Sequence, residues 1–356
     1  MGIEKIDKNF ALNTTSFEEN GMEYYSIPHK SFDLYGVFYE EETHAFMRLP
    51  KAVAKEISDG VDALSGNTSG GRLRFSTDSK KLEIRVGYEV FYPMSHMTLV
   101  GQSGFILLEE TEEGRRMVKI LPPQYEDKEG YVATAELKGG QMRDYILFFP
   151  LYNDVSSLTV GLEKGAKVCG GRAYRDCKPI LYYGSSITQG GCATRPDNCY
   201  QALIEKWNNV DFINLGFSGN AMGEDAMTDY LASIDCSVFV CDYDYNAPDV
   251  THLKKTHYRL YERYRKARPD TPILFVSKPD IWGEAEEALR IKVIRQTYKK
   301  ALENGDRNVY FLLGRTFFGK DWENCTVDGC HPNDLGFYRM AKKIYKKLGE
   351  IDTALQ

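Results

Sequence analysis

Two stretches of the chain hold side chains that could act together as a nucleophile and its base. An apolar run at residues 180–183 stops at Gly184, and Ser185 and Ser186 follow it directly. Much later in the chain, residues 328–332 spell Asp-Gly-Cys-His-Pro. Serine is a weak nucleophile until a base and a third, orienting group stand beside it, and the second stretch offers both. Together the two stretches predict nucleophilic transfer of an acyl group.

Each side chain in this prediction has a defined role. Ser186 would attack a carbonyl carbon, His331 would take its proton and later return it to the leaving alcohol, and Asp328 would hold the imidazole in the required tautomer. The oxyanion that forms needs donors placed in advance. The candidate donors are the backbone N–H groups of Ser186 and Gly219 and the side-chain amide of Asn246. Plainer alternatives are a helix cap or turn for Asp328, a tight turn for Gly219 and an ordinary loop position for Asn246.

These residues follow the predicted strands of the second half of the chain. From residue 178 onward, short apolar runs alternate with longer amphipathic segments, which predicts a five-stranded parallel sheet with helices on both faces. In such sheets the ligand binds beyond the carboxyl ends of the strands. The predicted strands are 180–183, 211–215, 238–242, 273–277 and 309–313, and the predicted helices are 199–207, 225–234, 250–268, 284–303 and 335–348.

The first half of the chain has a different pattern, with many short runs of aromatic and β-branched residues separated by turn-forming residues. This pattern predicts an N-terminal β-sandwich, jelly-roll-like, over residues 1–170, with one short helix at 52–64. We expect a linker at 171–177 and an α/β/α domain at 178–356. The predicted strands of the sandwich are 32–39, 46–49, 73–75, 82–86, 105–108, 117–121, 131–137, 144–149 and 158–162.

Composition excludes several classes of protein. The net charge of −6 argues against a nucleic-acid partner, and no run of eighteen apolar residues is present that would span a membrane. The eight cysteines include no Cys-x-x-Cys pair, so we expect no zinc site, no other metal and no cofactor. The N-terminal residues do not resemble a signal peptide, so we expect a cytoplasmic protein, or a secreted one if a signal was removed.

The blocks around the four candidate positions resemble, in this order, the SGNH (GDSL-type) esterase family. The resemblance covers residues 178–350 and is strongest in the serine block and in the Asp-x-x-His-Pro block. The invariant Ser, Gly, Asn and His of that family fall here on Ser186, Gly219, Asn246 and His331. The Asp of the last block falls on Asp328.

Two positions depart from the family pattern. Ser185 stands where the family has an Asp before the nucleophile, and Asp244 stands where it has a Gly two residues before the asparagine. Neither replaced residue performs chemistry in the family, so the assignment of the site is retained. Between the two adjacent serines, the register with Ile187 and Thr188 favours Ser186 as the nucleophile.

A β-sandwich followed by Gly-Ser-Ser-Ile-Thr-Gln-Gly and Asp-Tyr-x-x-Asn-Ala-Pro resembles the two-domain carbohydrate acetyl esterases of this family. That resemblance implies removal of O-acetyl groups from plant polysaccharides or oligosaccharides through an acyl-enzyme, with acetylated carbohydrate as the partner. The alternatives are an acylhydrolase, lipase or thioesterase acting on a non-sugar ester, and an inactive carbohydrate-binding protein. The oligomeric state stays open, a homo-oligomer included.

Aromatic and basic residues near the predicted strand ends could line a sugar-binding surface. Arg195 follows the nucleophile block, Tyr243 and Tyr245 flank the asparagine block, and Trp282 and Trp322 lie near later strand ends. Packing in the interior is an equally good explanation for each of these residues.

Overall fold

The computed structural model describes residues 14–279 and 283–355, which fall into two compact units. The first unit contains the described residues up to Arg48, then Gly66–Ala173 and Arg195–Asp197. The second contains Leu49–Ser65, Tyr174–Thr194 and the described residues from Asn198 onward. The structure thus assigns Leu49–Ser65 to the second unit, although it lies inside the range predicted for the first domain.

The first unit is built from antiparallel sheets. One sheet has the order β1-β2-β12-β7-β10, the other has the order β13-β6-β11-β8-β9 with β3 paired to β6, and β4 and β5 form a separate ribbon. Their bounds are β1 Ser16–Glu19, β2 Met22–Ser26, β3 Asp33–Tyr35, β4 Phe38–Glu40, β5 Ala45–Met47, β6 Arg72–Thr77, β7 Lys81–Gly87, β8 Phe105–Thr111, β9 Gly114–Leu121, β10 Gly130–Glu136, β11 Arg143–Phe148, β12 Ser157–Glu163 and β13 Val168–Gly170.

One buried cluster lies between the two larger sheets. In β7 the residues alternate between buried and half-buried, so Leu82 and Ile84 reach this cluster, and they meet Phe75 and Leu107 from the opposite sheet. Side chains from both sheets thus share one core, as a sandwich requires. The prediction of an antiparallel β domain is confirmed. The predicted strand at 32–39 is in fact two strands, because β3 and β4 pair with different partners.

The second unit contains a five-stranded parallel sheet with the order β15-β14-β16-β17-β18. This confirms the predicted α/β/α domain. Its strands are β14 Ile180–Gly184, β15 Phe212–Gly216, β16 Val238–Asp242, β17 Ile273–Val276 and β18 Val309–Leu312. Its helices are α1 Lys51–Ile57, α2 Asp59–Leu64, α4 Ser186–Gln189, α5 Tyr200–Asn208, α6 Asp225–Ser233, α7 Val250–Ala267, α8 Ala285–Glu303 and α9 Asp334–Ile351, while α3 Leu99–Ser103 belongs to the first unit.

The segment predicted as one helix at 52–64 is two helices. The chain is extended at Ser58, whose side chain accepts a hydrogen bond from the Val61 N–H at 3.2 Å and so caps α2. Ala54 of α1 and Val61 of α2 are fully buried in the same apolar cluster as Leu231 of α6. This burial explains why the segment folds with the second unit although it precedes most of the first in sequence.

The strand order brings three loops together. β14 lies between β15 and β16, and all five of its residues are buried. The connection after β14 leads to one neighbour and the connection after β15 crosses to the other side, so the carboxyl ends of the three strands flank the point where the order reverses. Open α/β sheets bind their ligands at this position. In the described ranges, no helix is long and apolar enough to cross a membrane.

Candidate active site

The loop after β14 places its two serines differently. Ser185 is fully buried and caps α4, because its Oγ accepts a hydrogen bond from the Ile187 N–H at 3.2 Å. Ser186 is the first residue of α4, and its side chain lines a cleft. Gly184 permits this tight turn, since a Cβ there would lie 2.3 Å from Oγ1 of Thr188. The two serines therefore differ in what they can reach, and only Ser186 lines the cleft.

Ser186, His331 and Asp328 form a continuous chain of hydrogen bonds. The Oγ of Ser186 lies 2.8 Å from Nε2 of His331, and Nδ1 of His331 lies 2.7 Å from Oδ2 of Asp328. The other carboxylate oxygen of Asp328 accepts the backbone N–H groups of His331 and Cys330 at 2.7 and 3.0 Å. Burial alone would raise the pKa of Asp328, but these hydrogen bonds outweigh it and lower the pKa to about 2. The carboxylate is therefore ionised at neutral pH.

The loop that carries His331 is fastened to the loop after α4. The Cys192 N–H donates to the carbonyl of Pro332 at 3.0 Å. Asp334, the first residue of α9, accepts the Thr194 N–H at 2.9 Å, the Thr194 hydroxyl and the Asn198 side-chain amide at 2.9 Å. These bonds join segments that lie about 140 residues apart in sequence, and so they set the distance between the serine and the histidine.

The loops after β15 and β16 meet at the carbonyl of Phe217. The side-chain Nδ2 of Asn246 donates to this carbonyl at 2.7 Å, and the backbone N–H of Asn220 donates to it at 2.9 Å. Gly219 has a φ of +70°, and a Cβ built on it would meet nothing within 4 Å, so its backbone conformation, rather than lack of space, favours glycine there. One amide hydrogen of Asn246 is held in this way, which leaves the second hydrogen as the one for a ligand.

These residues line a single cleft of about 620 Å³ in the second unit. It contains four of the five predicted catalytic and oxyanion positions, all except Asp328, contributed by the loops after β14, β15 and β16 and by the loop before α9. The remaining lining residues come from the same loops and from the N-terminal part of α8: Ser218, Tyr245, Ala247, Pro248, Glu284, Glu286, Glu287 and Arg290.

The predicted sugar contacts have different positions in the structure. Tyr245 lines the cleft, and the Lys278 ammonium lies 3.5 Å from the centre of its ring. Tyr243 does not line it, because its side chain is buried in the core and its hydroxyl is bonded to Thr256 at 2.9 Å. Arg195 belongs to the first unit, where it pairs with Asp197 at 3.0 Å.

The two predicted tryptophans do not add to the cleft. Trp322 begins a short 3₁₀ turn, Trp322–Cys325, and does not line the cleft as described. Trp282 lies outside the described residues.

The second family departure, Asp244, is a buried anchor of the loop after β16. Both oxygens of its carboxylate accept the Lys278 N–H at 3.3 Å, so it ties this loop to the end of β17. Burial raises the pKa of Asp244 to about 6, although the Lys278 N–H and the charges of Arg290 and Lys278 oppose the rise. Burial and the charge of Asp244 raise the pKa of the neighbouring Asp242 well above its ordinary value.

Sequence reasoning missed the contribution of α8 to the cleft. Three glutamates, Glu284, Glu286 and Glu287, lie at its start, and Arg290 follows one turn later. A signal for them was present, because a helix that follows a parallel strand begins at the carboxyl edge of the sheet. Charged residues in the first turns of the helix after β17 therefore belong to the same edge as Ser186.

A parallel sheet with a Ser–His–Asp chain at its switch point is the architecture of a serine hydrolase of the α/β/α class. Two models of known protein families match this chain. Residues 177–349 match the GDSL-like lipase/acylhydrolase family, and residues 22–168 match the N-terminal GxDLY domain of SGNH-hydrolase-type esterases. The chain therefore belongs to the GDSL-like lipase/SGNH esterase family, which confirms the resemblance found in the sequence, and it is an esterase or acylhydrolase. A search of curated proteins found no match.

Several solved structures match most of this chain. A protein described as a GDSL-like lipase from Bacteroides ovatus is 26% identical, with a TM-score of 0.84 over 93% of this chain and 98% of that chain. A salicylyl-acyltransferase of a tetracycline biosynthetic pathway is 16% identical, with a TM-score of 0.77 over 95% and 100%. A family two carbohydrate esterase from Clostridium thermocellum, solved with cellohexaose, is 15% identical, with a TM-score of 0.60 over 80% and 94%. The last two similarities establish the fold alone.

Proposed function

We propose that this chain is a serine esterase that removes O-acetyl groups from carbohydrates, with Ser186 as the nucleophile, His331 as the base and Asp328 as the orienting acid. The observation that carries the proposal is the unbroken chain of hydrogen bonds from Ser186 Oγ through His331 to Asp328, with Ser186 and His331 both lining the cleft. No metal or cofactor enters the proposed reaction.

The first half of the reaction forms an acetyl-serine. With its proton on Nδ1 held by Asp328, His331 accepts the Ser186 hydroxyl proton at Nε2 while Oγ bonds to the acetyl carbon. The negative oxygen that forms is stabilised by the N–H groups of Ser186 and Gly219 and by the second amide hydrogen of Asn246, and each such donor contributes about 3–4 kcal/mol. The bond between the acetyl carbon and the sugar oxygen then breaks, and this oxygen takes the proton from Nε2 and leaves as the sugar hydroxyl.

The second half of the reaction regenerates the serine. Water enters the position that the sugar hydroxyl has left, gives a proton to His331 Nε2 and attacks the acetyl carbon. The same donors stabilise the second oxyanion. When the acetyl–Oγ bond breaks, the proton returns to Ser186 and acetic acid leaves, which ionises to acetate in water.

The character of the cleft supports a small acyl group on a polar alcohol. Most of its lining is polar or charged, including Ser218, Glu284 and Glu286, whereas Ala247 and Pro248 are its only aliphatic lining residues in the described part of the chain. A long acyl chain needs an apolar channel to leave water. Structures described as a family two carbohydrate esterase and as an acetyl xylan esterase share the fold, and their names point to the same substrate class.

A second candidate is an acylhydrolase or acyltransferase with a non-sugar substrate. The similarity to a protein described as a GDSL-like lipase and to a salicylyl-acyltransferase favours it. The same acyl-serine would serve both candidates, because the acceptor and the acyl group alone differ.

The experiment that tests the proposal is acetate release from acetylated xylan, acetylated mannan and peracetylated sugars, with nitrophenyl esters of two to twelve carbons alongside. We expect acetate release and a preference for the acetyl ester. A preference for chains of eight carbons or more, without acetate release from any carbohydrate, would favour the second candidate. Labelling of Ser186 by an organophosphonate separates both from an inactive carbohydrate-binding protein, which would fold but remain unlabelled.

A further inference from the structure

Arg290 is a buried arginine in α8 that the reaction as described does not use. Its side chain is only 9% exposed, although the residue lies at the edge of the cleft. A guanidinium removed from water in this way needs acceptors for its donors. The groups that accept hydrogen bonds from Arg290 indicate its role.

The guanidinium bonds to the loop after β16 on both sides of Asn246. Its Nη1 donates to the carbonyl of Asp244 at 2.5 Å and to the carbonyl of Ala247 at 2.8 Å. These two carbonyls lie two residues before and one residue after the asparagine. The loop is also held by the Asp244 carboxylate, which accepts the Lys278 N–H, and by a turn in which the Asn246 N–H donates to the Tyr243 carbonyl at 3.0 Å.

The other edge of the guanidinium is oriented by α8 itself. Nε and Nη2 of Arg290 donate to one carboxylate oxygen of Glu286 at 3.2 and 2.7 Å. The planar fork of an arginine transmits this orientation to Nη1, which a lysine ammonium cannot do with the same geometry. The bonds of Arg290 therefore run from a rigid helix to the loop that carries the amide donor.

We infer that Arg290 is a positioning residue that fixes the side-chain amide of Asn246 for the oxyanion. This inference rests on the proposed esterase reaction. A donor that acts on the oxyanion acts in the transition state, so a displaced Asn246 lowers kcat and leaves KM nearly unchanged. A misplacement of about 1 Å can lower the rate about 100-fold.

The test is a double-mutant cycle on kcat for nitrophenyl acetate with Arg290→Met and Asn246→Ala. We expect Arg290→Met alone to lower kcat about 10- to 100-fold with KM within about threefold. We expect the double variant to match Asn246→Ala within about threefold, because Arg290 has no function once the amide is absent. The inference would be overturned if the loss of kcat in the double variant equalled the product of the two single losses. It would also be overturned if Arg290→Met changed KM alone.

Two further variants keep the test decisive if Arg290→Met folds poorly. Arg290→Lys keeps the charge but loses the planar fork. Glu286→Gln, at a side chain that is 57% exposed, weakens the orientation of the guanidinium. Each should lower kcat about two- to tenfold without changing the unfolding midpoint, and each loss should vanish in the Asn246→Ala background. The matched control is Arg295→Met, an exposed arginine of the same helix beside Phe311, which should leave kcat unchanged.

Failure of the inference and failure of the proposed function are distinguishable. A wild-type protein that hydrolyses nitrophenyl acetate but gives a multiplicative cycle overturns the role of Arg290 alone. A wild-type protein that hydrolyses no ester, and whose Ser186 does not react with a phosphonate, overturns both.

Discussion

One group of buried charged side chains in the first unit and another in the second unit bind different kinds of partner. In the first unit, Arg74 of β6 meets Glu110 of β8 through two hydrogen bonds of 2.8 and 2.7 Å, and Arg115 of β9 reaches the same carboxylate at 2.9 Å. In the second unit, the Asp244 carboxylate accepts a backbone N–H, and Arg290 donates to backbone carbonyls. One set of charges joins strands of the same sheet, and the other set holds loops at the edge of a cleft.

The kind of partner indicates whether a buried charge stabilises a sheet or positions a loop. A charge that is paired with another charge inside a sheet is needed for the sheet to remain folded, because a lone charge left in the interior is costly. A charge that is paired with the backbone of a loop sets the position of that loop. Substitution of Glu110 should therefore change the free energy of unfolding, and substitution of Arg290 should change the rate of reaction.

Among these substitutions, the loss of the nucleophile in the cleft should change kcat most. Ser186→Ala should lower kcat about a millionfold, because the bond-forming oxygen is removed. The measurement is release of nitrophenol and of acetate, with the unfolding midpoint as a check on folding.

The adjacent serine is the matched control. Ser185→Ala removes only the cap of α4, so it should cost about 1 kcal/mol of stability and keep most of the activity. If the two variants exchange these outcomes, the nucleophile is Ser185.

Asp328→Asn should have the next largest effect. The amide can no longer hold the Nδ1–H of His331, so kcat should fall about 10⁴-fold. Because the pKa of Asp328 is about 2, the wild-type enzyme should not lose activity through this carboxylate at any pH above about 4. Asp321→Asn, at an exposed partner of Arg339, is the control and should leave kcat unchanged. A loss below tenfold for Asp328→Asn would indicate a Ser–His dyad.

Glu110→Gln tests whether the buried ion pairs of the first unit stabilise its fold. It leaves Arg74 and Arg115 without their shared carboxylate, so the free energy of unfolding should fall by about 3–5 kcal/mol. Denaturant titration measures this change, and kcat of the protein that remains folded should be unaltered. Glu113→Gln is the control on the same hairpin, since its ion pair with Arg116 is exposed and should be worth about 0–1 kcal/mol. If both variants lower the free energy of unfolding equally, the buried ion pairs do not stabilise the fold more than the exposed one.

Asp244→Asn should have a smaller effect than Glu110→Gln, and this effect should depend on pH. The folded-state pKa of Asp244 is about 6 and its ordinary value is 3.8, so the folded protein binds the extra proton between these pH values. The wild-type free energy of unfolding should therefore lose about 3 kcal/mol as the pH rises from about 4 to above 6, and the variant should not show this loss.

Unfolding of the wild-type protein and the Asp244→Asn variant at pH 4, 5, 6 and 7 measures the difference. Asp235→Asn, at an exposed aspartate, is the control and should follow the wild-type curve. If the free energy of unfolding depends on pH in the same way for the wild type and for Asp244→Asn, the pKa of Asp244 is not raised in the folded protein.

Much of the fold could be predicted because the relevant signals are local. The predicted strands 180–183 and 238–242 agree with β14 and β16 to within one residue, since a buried parallel strand is a continuous apolar run. The missed strands are β1, β2 and β13. Of these, β1 and β13 contain no buried residue, whereas β2 buries Met22, Tyr24 and Tyr25. A strand that buries nothing shows no alternation and is recognised only by its hydrogen-bonded neighbour.

The candidate site was predictable in part for the same reason. Ser186, Gly219, Asn246 and His331 follow strands or precede a helix in recognisable blocks, and the sheet brings those ends to one edge. Tyr243 and Tyr245 have similar neighbours in sequence, yet one is in the core and the other lines the cleft. That difference depends on how the loop turns after β16, which no periodicity describes.

Local patterns in the sequence were enough to predict the two architectures, the four blocks and the order in which they follow the strands, because apolar periodicity and turn chemistry act over a few residues. The complete fold sets the 2.8 Å distance between Ser186 and a histidine 145 residues away, the capping of α4 by Ser185 and the hydrogen bonds of Arg290 to the loop of Asn246. These contacts depend on the order of the strands and on the packing of α8 beside them. Such distances are set by the whole core at once, and a local pattern carries no information about them.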